Sequence, residues 1–305
     1  MATALTSVGA VERALRAARR DALGASPVVG TQLFDVVVWC ETPASARESL
    51  AALREMRTHR PSRAIVVQTG RFDAVEAQVH VVVMEPPDGH GPVKLGADVV
   101  MLKGPRDGGA LAQMATSLLL TDLPTILIWR GRSVVDSPAF GVLTAAINRL
   151  VTDSMLHPEL FDETRALPVE KAIGDLAWTA ITPVRAQVAA AFDGHDAGRL
   201  ALAETVEIGH DPDYATSARL LCGWLSCYAR SAEIALAAVA ADTGQAIHSV
   251  EFGWGGTRPR RLPIDLTGLE RPSLASLFAE EFDRYGLDQV FVDAHRATAP
   301  SGEHW

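Results

Sequence analysis

Phe34-Asp35-Val36-Val37-Val38-Trp39-Cys40, followed by Glu41-Thr42-Pro43, decides how the first half of the chain is read. Seven residues with one charge and no polar alternation describe a strand covered on both faces, as in a parallel sheet. Thr42 is a good N-cap and Pro43 suits the first helical position, so a helix follows at once. Ala46, Leu50 and Leu53 form its apolar stripe, and Pro61 bars its continuation.

The same rhythm recurs downstream. Strands are expected at 64–67, 79–84, 98–102, 125–129 and 149–152, from short apolar runs bounded by turn residues. Leu111, Met114 and Leu118 mark one helix, and Ser137-Pro138 opens another. The pair between 79 and 102 flanks Pro86-Pro87-Asp88-Gly89 and reads as an antiparallel insertion. Strands alternating with helices predict an α/β N-terminal domain over 1–160, a three-layer, mostly parallel sheet.

From about residue 160 the pattern changes. Thr182-Pro183 starts a helix, 204–208 reads as a strand, and Asp211-Pro212 opens a long helix through Leu221, Leu225 and Tyr228. Strands are expected at 247–252 and 262–266, where Pro263 indicates an edge position. Ser273 caps a further helix, and 289–293 reads as a last strand. This is the pattern of a smaller α+β domain over 161–305.

The 305 residues carry a net charge of −9, against any general nucleic-acid or anionic-membrane partner, since both require a basic face. No apolar run is long enough for a membrane helix. Cys40, Cys222 and Cys227 make neither a disulfide framework nor a zinc quartet, so a reducing cytoplasm is the expected setting. Phosphate-cradle, nucleophile-elbow and zinc-protease motifs are missing from the sequence, and no catalytic residue, cofactor or metal is expected. His210, Asp211 and Asp213 fit a helix start better than a metal site.

Five ordered segments carry a family resemblance. They are Pro61-Ser62-Arg63 before an apolar strand, and Asp122-Leu123-Pro124-Thr125 leading into Trp129-Arg130-Gly131. Then come Asn148-Arg149 with Asp153-Ser154, Gly174-Asp175-Leu176-Ala177-Trp178 with Thr182-Pro183 and Arg185, and Gly223-Trp224-Leu225 in a helix. His59 stands one residue further from its proline than in the family pattern, and Ile128 replaces a first tryptophan. In this order, over roughly residues 30–295, the segments resemble the glucose-6-phosphate dehydrogenase assembly protein family, OpcA.

The resemblance implies a non-catalytic accessory subunit that binds glucose-6-phosphate dehydrogenase and promotes its active oligomer, at the entry to the oxidative pentose phosphate pathway. Arg63, Trp129, Arg130, Asp153, Ser154, Asp175, Trp178 and Arg185 are the contact candidates, and all but Trp129 are expected to converge at the carboxyl ends of the strands of the first domain, where open α/β sheets bind ligands. Self-association is compatible with these features. The alternative reading is an enzyme or sensor that binds a phosphorylated sugar or nucleotide in the N-terminal crevice, with Arg63 and Arg130 on the phosphate.

Overall fold

The computed structural model describes residues 6–23, 32–55, 62–84, 95–135, 137–165, 167, 172–193, 197–239, 245–255, 260–284 and 286–298. Along the chain run α1 (Val8–Leu23), β1 (Phe34–Cys40), α2 (Pro43–Glu55), β2 (Ser62–Gly70), β3 (Glu76–Met84) and β4 (Leu95–Pro105). Next come α3 (Gly109–Ser117), β5 (Thr125–Arg130), α4 (Pro138–Thr144), β6 (Arg149–Thr152), α5 (Glu159–Arg165) and β7 (Ala172–Asp175). They continue with α6 (Leu176–Ala180), α7 (Thr182–Ala191), α8 (Ala197–Leu200), β8 (Thr205–His210), α9 (Ala215–Tyr228) and β9 (Glu233–Ala238). Last are β10 (Ile247–Trp254), β11 (Arg260–Pro263), α10 (Leu274–Phe282) and α11 (Gln289–Ala297). Two compact units result, one of Met1–Thr152, Val169–Ala172 and Leu274–Gly286, the other of Asp153–Pro168, Ile173–Ser273 and Leu287–Trp305.

The large sheet has the order β3-β4-β2-β1-β5-β6-β7. β1 is buried along its whole length, as its uninterrupted apolar run requires. It pairs in parallel with β2 on one side and β5 on the other. β4 continues the sheet parallel to β2, and β3 closes that edge antiparallel to β4. The chain therefore steps one way from β1 to β2 and the other way from β4 to β5. Right-handed crossovers then place α2 and α3 on opposite faces, which makes the three layers. α3 packs with α4 on one face, and α10 packs with α2 on the other. Phe34 meets Phe282 of α10 edge-on at 5.2 Å.

Local chemistry fixes the helix starts. The Thr42 hydroxyl accepts the Ser45 N–H at 3.0 Å, and the Ser137 hydroxyl accepts from Phe140 at 3.3 Å. α2 departs from the expected apolar stripe, because its buried face includes Ser45 and Ser49. Both are hydrogen-bonded, Ser49 Oγ to the Ser45 carbonyl at 2.7 Å, so their burial carries little penalty. The expected turn at 86–89 lies outside the described residues.

In the second unit, β11, β10, β8 and β9 form a sheet in that order. β8 is antiparallel to β10 and parallel to β9. β11 is an edge strand, as Pro263 indicated. α9 packs on this sheet and against α11. Gly223 makes that approach possible, since a Cβ there would lie 2.1 Å from the Ala294 carbonyl oxygen of α11. The strand expected at 289–293 is thus helical instead. Asp288 caps α11 by accepting the Phe291 N–H at 3.0 Å, and Phe291, Val292, Ala294 and His295 are buried at helical spacing.

Candidate functional site

The predicted contact residues fall into both units, and each group is described within its own unit. Arg63 sits at the amino end of β2, in register with Asp35 of β1 and Asp98 of β4. Parallel strands in register point these three side chains the same way, so a negative–positive–negative row crosses the sheet. Arg63 Nη1 donates to Glu12 Oε1 at 2.7 Å and to the Leu118 carbonyl at 2.6 Å, and its Nε lies 3.4 Å from Asp98. Asp98 also accepts from Arg19 Nε at 2.8 Å and from Gln32 at 2.9 Å. Asp35 accepts the Leu120 N–H at 2.5 Å. Burial raises its carboxyl to about 6, above the ordinary 3.8, because the charged form is poorly solvated there.

Arg130 lies at the other end of the sheet, opposite Cys40 in register. Five residues of β1 separate its level from that of Arg63, about 17 Å. The two arginines therefore do not converge, and Arg63 lies at the amino end of its strand and not at the expected carboxyl end. Arg130 also turns inward: Nη1 donates to the Ser45 carbonyl at 3.0 Å and to Ser49 Oγ at 2.8 Å, and Nη2 lies 3.3 Å from Glu48. Of the two buried serines of α2, Ser49 thus turns its hydroxyl to this guanidinium, while that of Ser45 bonds back to Thr42. Trp129 is fully buried and stacks on Trp39, with centroids 5.2 Å apart and planes 2° from parallel.

In the second unit the other five include two contacting pairs, Ser154 with Asp175 and Trp178 with Arg185. Ser154 Oγ donates to Asp175 Oδ1 at 2.7 Å, and the same oxygen caps α6 through the Ala177 N–H at 2.7 Å. Asp153 accepts the Leu156 N–H at 3.1 Å. Trp178 Nε1 donates to Asp288 Oδ2 at 3.0 Å, tying α6 to the cap of α11. The Arg185 guanidinium lies 3.5 Å from the Trp178 ring centre. Of the eight predicted residues, seven are buried, and Arg185 alone is half-exposed. The hydrogen-bond partners described above lie within their own units, where these residues cap helices and hold strands and helices together.

Among the described residues, the first unit has surface hollows of which two bear on a site. One, of about 490 Å³, lies under the α3–β5 connection, with Thr121, Asp122 and Asn148 in its wall. The other, of about 310 Å³, opens at the carboxyl ends of β1, β2, β4 and β5. Trp39, Glu41, Thr69, Arg106, Asp107 and Arg132 line it. Sequence reading missed the four charges among them, Glu41, Arg106, Asp107 and Arg132, because single charges in loops carry no pattern. Their one signal is position, just past a strand's last residue. Among the described residues, no cluster of His, Cys, Asp and Glu suits a metal, and no helix is long and apolar enough to cross a membrane.

Fold and site together define a two-unit α/β protein, with its motif residues built into the scaffold. Two family models match it: the glucose-6-phosphate dehydrogenase subunit N-terminal domain over residues 53–167, and the C-terminal domain of the same subunit over 171–295. The chain belongs to the OpcA family of glucose-6-phosphate dehydrogenase assembly proteins. No curated protein matches the chain. Among solved structures it is similar to apo scyllo-inositol dehydrogenase from Lactobacillus casei, at 8% identity and a TM-score of 0.44. A second structure of that protein, at 77 K, gives 9% and 0.45. Each alignment covers 88% of this chain and 95% of the other.

Proposed function

We propose that this chain is a non-catalytic subunit that binds glucose-6-phosphate dehydrogenase and favours its active oligomer. The observation that carries the reading is the pair of subunit-domain matches, which together run from residue 53 to 295. The burial of the family motifs supports it, since groups committed to caps and internal ion pairs are not free to act on a substrate. Three free cysteines are compatible with work in a reducing cytoplasm.

Such a subunit acts only through differential affinity: it must bind the competent oligomer more tightly than the inactive or dissociated form. The gain then follows mass action, and a coupling of about 1–3 kcal/mol changes the active population roughly 5- to 150-fold. The test is co-purification with the host's dehydrogenase, followed by its activity and sedimentation at dilute concentration with and without this chain. The expected result is a stable complex, with a larger active fraction when the dehydrogenase alone would dissociate. An unchanged oligomer and unchanged kinetics at saturating amounts of the chain would remove the proposal.

A further inference from the structure

We infer that the crevice at the carboxyl ends of β1, β2, β4 and β5 binds a small phosphorylated polyol. The inference goes beyond the subunit role and does not depend on it.

Position is the first argument. In open α/β sheets ligands enter outside the carboxyl ends of the strands, where the winding direction reverses. Here the reversal falls at β1, which lies between β2 and β5, and the crevice opens above it. Its volume, about 310 Å³, is at the lower end of the range for small-molecule sites, roughly 300–1,000 Å³.

Charge is the second. Arg106, Arg132, Glu41 and Asp107 all line the opening. Among the described residues, none of the four side chains makes a hydrogen bond or ion pair. Two guanidiniums suit a phosphate, as planar multiple donors. Two carboxylates would repel a bare anion, but they accept hydrogen bonds from hydroxyl groups. A ligand that carries both a phosphate and hydroxyl groups offers a partner to each kind of charge.

The loop that carries Arg106 and Asp107 is also fixed in place. Gly108 follows them with φ 67°, and a Cβ at that position would lie 2.7 Å from the Trp39 ring. Only glycine lets the loop rest on the indole in this way. Trp39 is held in turn by its stack on Trp129, which meets Phe140 edge-on. The floor and one wall are therefore rigid, which lowers the entropic cost of binding.

The same geometry argues against a dinucleotide. Its pyrophosphate would need free N–H groups at the start of α2 and a glycine-rich β1–α2 turn. The turn is Glu41-Thr42-Pro43. Pro43 has no N–H, and the Thr42 hydroxyl already takes the Ser45 N–H.

Calorimetric titration of the full chain decides the matter, with glucose 6-phosphate as the probe and glucose, inorganic phosphate and NADP as comparisons. The hexose phosphate should bind saturably and most tightly of the four. Arg106→Ala and Arg132→Ala should each weaken it about ten- to hundredfold, the effect of losing a charged hydrogen-bond partner. Asp107→Asn should weaken it several-fold while leaving any binding of inorganic phosphate no weaker, and all three variants should melt as the parent does. No saturable binding, equal binding of inorganic phosphate, tighter binding of NADP, or indifference to all three substitutions would each overturn the inference. Complex formation with the dehydrogenase is read separately, so failure here leaves the subunit role standing, and the reverse.

Discussion

At the amino ends of β1, β2 and β4, Asp35, Arg63 and Asp98 are buried and tied to one another or to backbone. At the carboxyl ends of the same sheet, Glu41, Arg106, Asp107 and Arg132 surround an open crevice and have no side-chain partner among the described residues. One sheet thus holds two charge clusters of similar make-up. The buried row is part of the scaffold, because each charge there would be costly if left alone. The crevice charges are solvated, so leaving them unpaired costs little in stability and keeps them available.

Asp98→Ala should break this contrast most strongly. It removes the carboxylate shared by Arg63, Arg19 and Gln32, and leaves Arg63, itself 4% exposed, with the Glu12 ion pair and the neighbouring Asp35 as counter-charges. Loss of a buried ion-pair partner costs about 3–5 kcal/mol, to be read from urea unfolding. A cost below about 1 kcal/mol would show that the row is not structural.

The pH dependence of Asp35 comes next. Its folded carboxyl titrates at about 6, above the ordinary 3.8, so between those values the native state holds a proton that the unfolded chain has released. Its contribution is therefore fully present below about pH 4 and is lost as pH rises through about 6. The size is on the order of 2–3 kcal/mol, and unfolding curves for Asp35→Asn should lack that segment of the slope. Identical slopes for parent and variant would mean that this carboxyl is ionised like any other.

The smallest effect sharpens the comparison from the other side. Arg106→Ala and Arg132→Ala should change unfolding free energy by no more than about 0.5 kcal/mol, as expected of solvated surface groups. A larger loss would mean that the crevice charges belong to the scaffold too.

The first unit was largely legible in the sequence because its strands are buried on both faces. A run such as Phe34–Cys40 or Thr125–Arg130 has one reading, and Thr42-Pro43 and Ser137-Pro138 announce their helices. The second unit was less so. Val290-Phe291-Val292 reads as β by composition, yet tertiary packing through Gly223 makes it helix. β9, Glu-Ile-Ala-Leu-Ala-Ala over 233–238, is too alanine-rich to announce a strand, and its pairing with β8 decides it. At the site, sequence reading found polar residues in motifs, which turned out to hold the fold together. It passed over Glu41, Arg106, Asp107 and Arg132, because what unites them is the strand order, a long-range property.

The place of α10 in the first unit has a consequence for how the chain is made. Arg149 of β6 is buried, and its guanidinium reaches Glu281 Oε2 at 2.7 Å and the Gly286 carbonyl at 2.7 Å. Those partners leave the ribosome roughly 130 residues after β6, a delay of about 7–26 seconds at ordinary elongation rates. Through that interval the nascent sheet carries an uncovered arginine and an uncapped Phe34, so a transcript cut short after β6 yields a product in which α2 stands in its layer without α10.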